Sequence, residues 1–270
     1  YLLIGFDHES DTARDNARQA ILITGAGGLA LLIGILLLKF AGASFTISHW
    51  VAAGDQIRQH ALYPAIFIAV LLGAMTKSAQ FPFHFWLPSA MEGPAPVSAF
   101  LHSVTMVKAG VYLLLRLSPV LGGTDVWQLT LSFFGAATMV TGALMALVQT
   151  DFKLLLAYTT VNGLGTLVFL TGLGTPPAIQ AAMGFLVVHA LYKGWLFLSA
   201  GVVDHETGSR DLSRLKGLSR QMPLITVATV LSAVSMAGLP PLLGFVGKEA
   251  VQREDVALLR VLGVFHRLAV

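Results

Sequence analysis

The sequence contains no cysteine. That excludes disulfides, zinc–thiolate sites, iron–sulfur clusters and cysteine nucleophiles. Charge is scarce: 17 Lys and Arg and 14 Asp and Glu in 270 residues, or 11%, against about 25% in an ordinary soluble domain. The signatures of soluble enzymes are missing as well. There is no Walker lysine loop and no G-x-S-x-G. His205-Glu206 lacks the second histidine of a zinc protease, because position 209 is Ser209. Residues 21–30, ILITGAGGLA, match G-x-G-x-x-A, but the apolar run continues to Leu38, as in a membrane helix with small packing residues. No metal site, cofactor or nucleic-acid partner is expected. The net charge of +3 is accounted for by loops.

What is present is apolar. Hydrophobic residues make up 55%, and mean hydropathy is +0.75. A water-soluble fold of this size cannot hide that much apolar surface, and the same hydrophobicity excludes disorder. The expected fold is therefore an all-α membrane protein in a lipid bilayer. A helix needs about 20 apolar residues to cross. Such runs occur at 19–40, 61–91, 96–117, 126–149, 153–172, 177–202 and 223–250, after an apolar stub, YLLIGF. The chain starts at Tyr1 with no initiator methionine and is expected to be a piece of a longer protein. Residues 1–250 form one transmembrane domain in this reading, and 251–270 stay unassigned.

Loop charges give an orientation. Numbering the sides alternately, one holds Arg14, Arg18, Lys153, Arg210, Arg214, Lys216 and Arg220. The other holds Lys39, Arg58, Arg116 and, by one count, Arg253. The richer side is expected to be cytoplasmic.

Two spans are interrupted, 61–91 by Pro82 and Pro88 and 223–250 by Gly238, Pro240 and Pro241. Proline removes a backbone donor, and freed backbone groups survive in a membrane only inside protein or beside water. Paired interrupted spans point to a transporter, although a proline kink alone is common.

Ionisable residues stand where they are expensive. Lys77, Lys108 and Lys193 lie within apolar spans, and Lys248 follows the second interruption. A lysine at mid-bilayer costs about 2.5–3.5 kcal/mol on insertion scales. His102 and His189 share spans with Lys108 and Lys193, and no carboxylate lies between Asp151 and Asp204 or between Glu92 and Asp125. Burial penalises a charged side chain, and histidine titrates at about 6.5 unaided. Such a row is suited to moving protons. His189 and Lys193 are four residues apart and share a helix face. His102 and Lys108, six apart, would point about 120° from each other on a continuous helix. Lys248 also fits a lysine snorkelling to an interface. By sequence alone Lys153 reads as interfacial and His84 as a polar residue at a helix break.

The stretch TKSAQFPFHFWLPSAMEGPAPVSAFLHSVTMVKAGVYLLLRL, followed by QTDFKLLLAYTTVNGLG, HALYKGWLFLSAG and MAGLPPLLGFVGKE, resembles the proton-conducting antiporter-like subunits. That superfamily includes the large membrane subunits of respiratory complex I and of Mrp sodium/proton antiporters. The resemblance covers about residues 1–250. HFWLP, TMVKAGVYL and VDHETGSRDLSRLKGL make the chain most similar to the A subunits of Mrp antiporters.

The resemblance implies two inverted five-helix repeats, each with a broken helix. It implies a proton path through Lys77, His102, Lys108, Lys153, His189, Lys193 and Lys248, and raises Lys153 from an interfacial residue to a connecting one. It implies other antiporter subunits as partners, protons and Na+ as the transported ions, and a plasma-membrane location. It also implies a glutamate partner for Lys77, expected upstream of Tyr1. The residues QREDVALLRVLGVFHRLAV after Glu249 fit the family pattern poorly. The alternative is a proton-pumping membrane subunit of complex I or of a membrane-bound hydrogenase.

Overall fold

The computed structural model describes residues 1–253 except His8, Ala43 and Val104. Helices account for most of it. In chain order they are α1 (Asp11–Gly42), α2 (Ile47–Ala52), α3 (Gly54–Gln59), α4 (Tyr63–Lys77), α5 (Trp86–Ser89), α6 (Ala95–Ser103), α7 (Met106–Leu121), α8 (Asp125–Leu147), α9 (Phe152–Leu173), α10 (Pro176–Thr207), α11 (Leu218–Gln221) and α12 (Pro223–Ala237). Residues 243–253 are helical as well. No strand occurs among the described residues.

Local chemistry sets the helix ends. Thr124, Asp151 and Thr175 accept hydrogen bonds from the backbone N–H three residues on, capping α8, α9 and α10. Prolines 176 and 177 open α10, where a missing N–H costs nothing. Gly174, Gly208 and Gly238 end α9, α10 and α12 with φ of 67°, 67° and 80°, a left-handed conformation cheap only for glycine.

Four helices, 11–42, 125–147, 152–173 and 176–207, are long and apolar enough to cross a membrane, and so is 95–121 when α6 and α7 are taken together. The two shorter apolar helices, α4 and α12, are the interrupted ones. Helix α4 stops at Lys77, and residues 78–85 are non-helical before α5 begins. Pro82 lies in that stretch, whereas Pro88 lies inside α5. Helix α12 stops at Ala237, and Gly238, Pro240 and Pro241 occupy the gap before residue 243.

One difference from the sequence reading concerns 96–117, expected as a single helix. The structure divides it: α6 ends at Ser103 and α7 starts at Met106. The Thr105 hydroxyl donates to the Phe100 carbonyl at 2.8 Å and the Ser103 hydroxyl to the Ala99 carbonyl at 2.5 Å. Such local hydroxyl bonds compete with the helical ladder. His102 and Lys108 are therefore on different helices, and the angle drawn for a continuous helix does not apply.

Helix α9 occupies the middle and packs on α5, α7, α8 and α10. Glycines bring α8 against it, with Gly135 facing Phe169, Gly142 facing Asn162, Gly165 facing Met139 and Gly172 facing Leu131. Helix α4 lies against α1 and α7, and α10 lies against α6, α9 and α12.

The two ends of the bundle are tied differently. At one, Tyr63 donates to the Leu121 carbonyl at 2.7 Å, and Arg58 donates to the carbonyls of Pro119 and Val120. At the other, the loop before α9 pairs with the loop after α10 through Phe152 N–H to Arg210 O and Leu212 N–H to Thr150 O, both 2.9 Å. Beside that clamp the Ser213 hydroxyl and N–H hold the Asp211 carboxyl below the usual carboxylate range. The start of α1 reaches the same end, where Asn16 borders a cleft with Asp151 and Arg210.

Candidate functional site

Packing of α6, α7 and α10 around α9 brings four ionisable side chains into the interior. Lys193 is fully buried, and its Nζ donates to the Leu156 carbonyl at 2.8 Å and to the Thr159 hydroxyl at 2.5 Å. The same ammonium lies 5.9 Å above the Phe197 ring. Against that ring also lies His102, with centroids 4.6 Å apart. Phe197 thus touches a titratable group of α6 and one of α10.

His189 lies one turn before Lys193 and is packed between the rings of Phe185 and Tyr192. Its imidazole rests on Gly163 of α9, where an added Cβ would come within 2.6 Å of Nε2. We expect Gly163→Ala to displace that ring and, if His189 carries protons, to lower flux several-fold in the assembled complex. A variant with wild-type flux would show that the ring's position is not needed.

Lys108 is 2% exposed, and its Nζ has no hydrogen-bond partner. Neither nitrogen of His102 or His189 has one either. Buried polar groups are nearly always hydrogen-bonded, so these five unpartnered nitrogens stand out. In space His102 has Lys193, Lys108 and Lys153 as charged neighbours, and His189 has Lys108, Lys193 and His102.

Lys153 stands in the first turn of α9, beside the paired loops. It is 3% exposed, and its Nζ donates to the carbonyls of Met91 and Gly93 at 2.9 and 2.8 Å. It also feels Asp204, Asp151 and Glu92, with Arg210 opposing them. The spans that hold Lys77, Lys108, Lys153 and Lys193 contain no carboxylate along the chain, but in space Lys153 has acidic neighbours, each from a loop or helix end.

The remaining sequence candidates stand apart. Lys77 is half-buried at the end of α4, its Nζ 3.5 Å from the Tyr1 hydroxyl. Lys248 is half-buried, and its stem crosses Gly238 at the second break. No interaction links either lysine to the central cluster among the described residues. His84 lies in the first break, stacked 6.0 Å from Phe81. Residues 254–270, part of the unassigned 251–270, lie outside the described residues.

Sequence reasoning missed Thr159, Gly163 and Phe197. Each contacts the cluster from a neighbouring turn or helix, and only Gly163, a small residue within a long span, left any signal. Among the described residues no group of His, Asp and Glu could hold a metal ion.

The comparisons with known proteins agree with this architecture. The NADH:quinone oxidoreductase/Mrp antiporter transmembrane family matches residues 1–265. The A/B subunit of a probable K(+)/H(+) antiporter of Rhizobium meliloti is 49% identical over 95% of this chain and 26% of its own length. The A-type subunit of the Na(+)/H(+) antiporter of Bacillus subtilis is 44% identical over 92% of this chain and 32% of its own. A chain of the Mrp complex from Dietzia sp. DQ12-45-1b superposes with a TM-score of 0.81 at 44% identity, covering 90% of this chain and 27% of that one. A chain of the archaeal membrane-bound sulfane sulfur reductase shares the fold, with a TM-score of 0.80 at 23% identity, over 93% of this chain and 52% of that one. The chain thus spans about a quarter to a third of the length of the curated relatives it matches.

Proposed function

Because this chain belongs to the NADH:quinone oxidoreductase/Mrp antiporter transmembrane family, we propose that it is part of a subunit of a multi-subunit monovalent cation/proton antiporter. It would work as a secondary transporter in the plasma membrane, with other antiporter subunits as partners and Na+ as the exchanged cation. The antiporter names of the relatives at 41–49% identity support this reading over a redox-driven pump. The domain is residues 1–250, with the proton path inside it.

One observation carries the path: His102, Lys108, His189 and Lys193 are buried together, and the charges that His102, His189 and Lys193 feel come from lysines and histidine. Adding a proton to one such group raises the cost of a proton on the next, so charge moves stepwise. Lys77 and Lys248, each at a helix break, are the outer members, and Lys153 connects the two halves. The breaks leave non-helical backbone inside the bundle, which a membrane protein tolerates only within protein or beside water; at the first, Ser78, Ala79 and Gln80 are buried.

The test uses the complete complex in sealed vesicles, with a pH-sensitive dye and pulses of Na+ or K+. We expect Na+-driven proton flux, reduced to below about a tenth, a barrier increase of ~1.4 kcal/mol or more, by Lys108→Met and by His189→Phe. Full flux in both variants would sink the proton path. A response to K+ alone would reassign the cation.

A further inference from the structure

The break after α4 is held more tightly than a proline interruption requires. The Thr76 carbonyl accepts the Trp86 indole N–H at 3.0 Å, and the Ser78 carbonyl accepts the Gln80 side-chain N–H at 2.9 Å. The Phe81 N–H donates to the Thr138 hydroxyl of α8 at 2.9 Å. Ser78, Ala79, Gln80 and Trp86 are all fully buried. Ala79 has a φ of 44°, in the left-handed region where a Cβ is penalised. A residue in that conformation persists only where its surroundings hold it there. The break is thus a fixed joint.

One contact of the joint reaches the helix of Lys108. The Val111 N–H of α7 donates to the Ser78 hydroxyl oxygen at 3.0 Å. Val111 is in the second turn of α7, where an N–H ordinarily has the carbonyl four residues earlier as its acceptor. That carbonyl, of Val107, stays within the same helix if the Ser78 oxygen is removed, so α7 does not need Ser78 in order to form. What the extra oxygen adds is a fixed distance between α7 and the end of α4. Gly110 permits the approach: a Cβ there would come within 2.3 Å of the Ala74 carbonyl oxygen and 2.5 Å of the Ser78 hydroxyl.

The two ends of this hydrogen bond are close in sequence to two lysines. Ser78 follows Lys77 directly, and Val111 lies three residues after Lys108, on the same face of α7. The Lys77 side chain stands apart from the central cluster, but its backbone is one residue from an atom bonded to the helix of Lys108.

We propose that Ser78 is a positioning residue whose hydroxyl locks the end of α4, and with it Lys77, against the turn of α7 that carries Lys108, so that the fold fixes the spacing of the two lysines. The inference rests on the reading of Lys77 and Lys108 as members of the proton path. Transfer between groups is sensitive to how they are held, and a misplacement of about 1 Å can slow a reaction about 100-fold.

The test uses the complete complex in sealed vesicles, with flux scaled to the amount of assembled complex. Ser78→Ala is expected to lower cation-driven proton flux about fivefold or more at saturating cation. The cation concentration for half-maximal flux is expected to stay unchanged, because the contact sets spacing along the path and touches no cation. Ser78→Thr keeps the oxygen and is expected to retain most of the flux. Ser78→Cys keeps the volume but offers sulfur, a weak acceptor, and is expected to behave as alanine does. It is the variant to read if Ser78→Ala leaves too little assembled complex. Thr138→Val also removes the acceptor of a backbone N–H at this break, but on the α8 side, and is expected to cost less flux than Ser78→Ala.

Full flux in Ser78→Ala or in Ser78→Cys overturns the proposal. So does a loss in Ser78→Thr as large as that in Ser78→Ala. An equal loss in Thr138→Val would assign the effect to the break as a whole and remove the special role of the α7 contact. Lys77→Met separates this inference from the reading beneath it. Wild-type flux in that variant overturns Lys77 as a path member. Lost flux in that variant, with full flux in Ser78→Ala, overturns the positioning role alone.

Discussion

Lys193→Met in the complete complex is expected to bring cation-driven proton flux below about a tenth of wild type, and Lys193→Arg is expected to do the same, a barrier increase of ~1.4 kcal/mol or more. The pair of variants separates two roles. Methionine fills much of the space of the lysine stem but carries no proton. Arginine keeps the positive charge and can still donate to the Leu156 carbonyl and the Thr159 hydroxyl, the acceptors that Lys193 uses. It does not release its proton in a protein. A lysine that only anchors α10 to α9 would be replaced well by arginine and poorly by methionine. A lysine that must cycle between charged and neutral forms is replaced by neither. Each flux is scaled to the amount of assembled complex. Flux above half of wild type in Lys193→Arg would assign Lys193 to structure.

Lys193 is visible in the sequence as a charge inside VVHALYKGWLFL, and hydropathy alone locates the span around it. The breaks near Pro82 and at Gly238–Pro241 are visible because proline and glycine have fixed backbone consequences. The division between Ser103 and Met106 is not, because hydroxyl and β-branched residues are tolerated in helices as often as they disrupt them. Nor can the sequence say that His102 would meet Lys193 across Phe197. Hydrophobic periodicity tells which residues face inward, not which helix they will face. The surroundings of Lys153 make the same point: Glu92 and Asp204 are distant from it in sequence, and the fold gathers them at one end beside the adjacent Asp151. Sequence distance between charges therefore misjudges the electrostatics at that position, while it serves well for the central cluster, whose neighbours in space are also cationic.

The cluster depends on a frame that holds α9 in the middle, and the largest loss of stability is expected where that frame is tightest. Helices in a membrane gain little from burying apolar surface against each other, so small residues that allow close backbone contact matter most. At Gly165 an added Cβ would stand 2.6 Å from the Met139 backbone nitrogen and 2.8 Å from the Gly135 carbonyl oxygen. Neither is a side-chain tip that can rotate away, so α8 and α9 would have to separate. Gly142, against the Asn162 backbone at 2.5 Å, is in the same position one helix across. Gly165→Leu is expected to cost about 3 kcal/mol or more by overpacking, seen as loss of assembled complex or a drop of several degrees in its unfolding temperature in detergent. Gly25→Leu and Gly28→Leu are the controls, since neither position has an atom within 4 Å of an added Cβ. They also separate the glycines of ILITGAGGLA by role: Gly27, packed against the Thr76 side chain, is the one that helix packing requires. Equal stability of Gly165→Leu and Gly25→Leu would mean that the α8–α9 contact does not hold the frame. Loss in Gly165→Leu alone places the structural requirement at α9, the helix that supplies Leu156, Thr159 and Gly163 to the buried lysine and histidine.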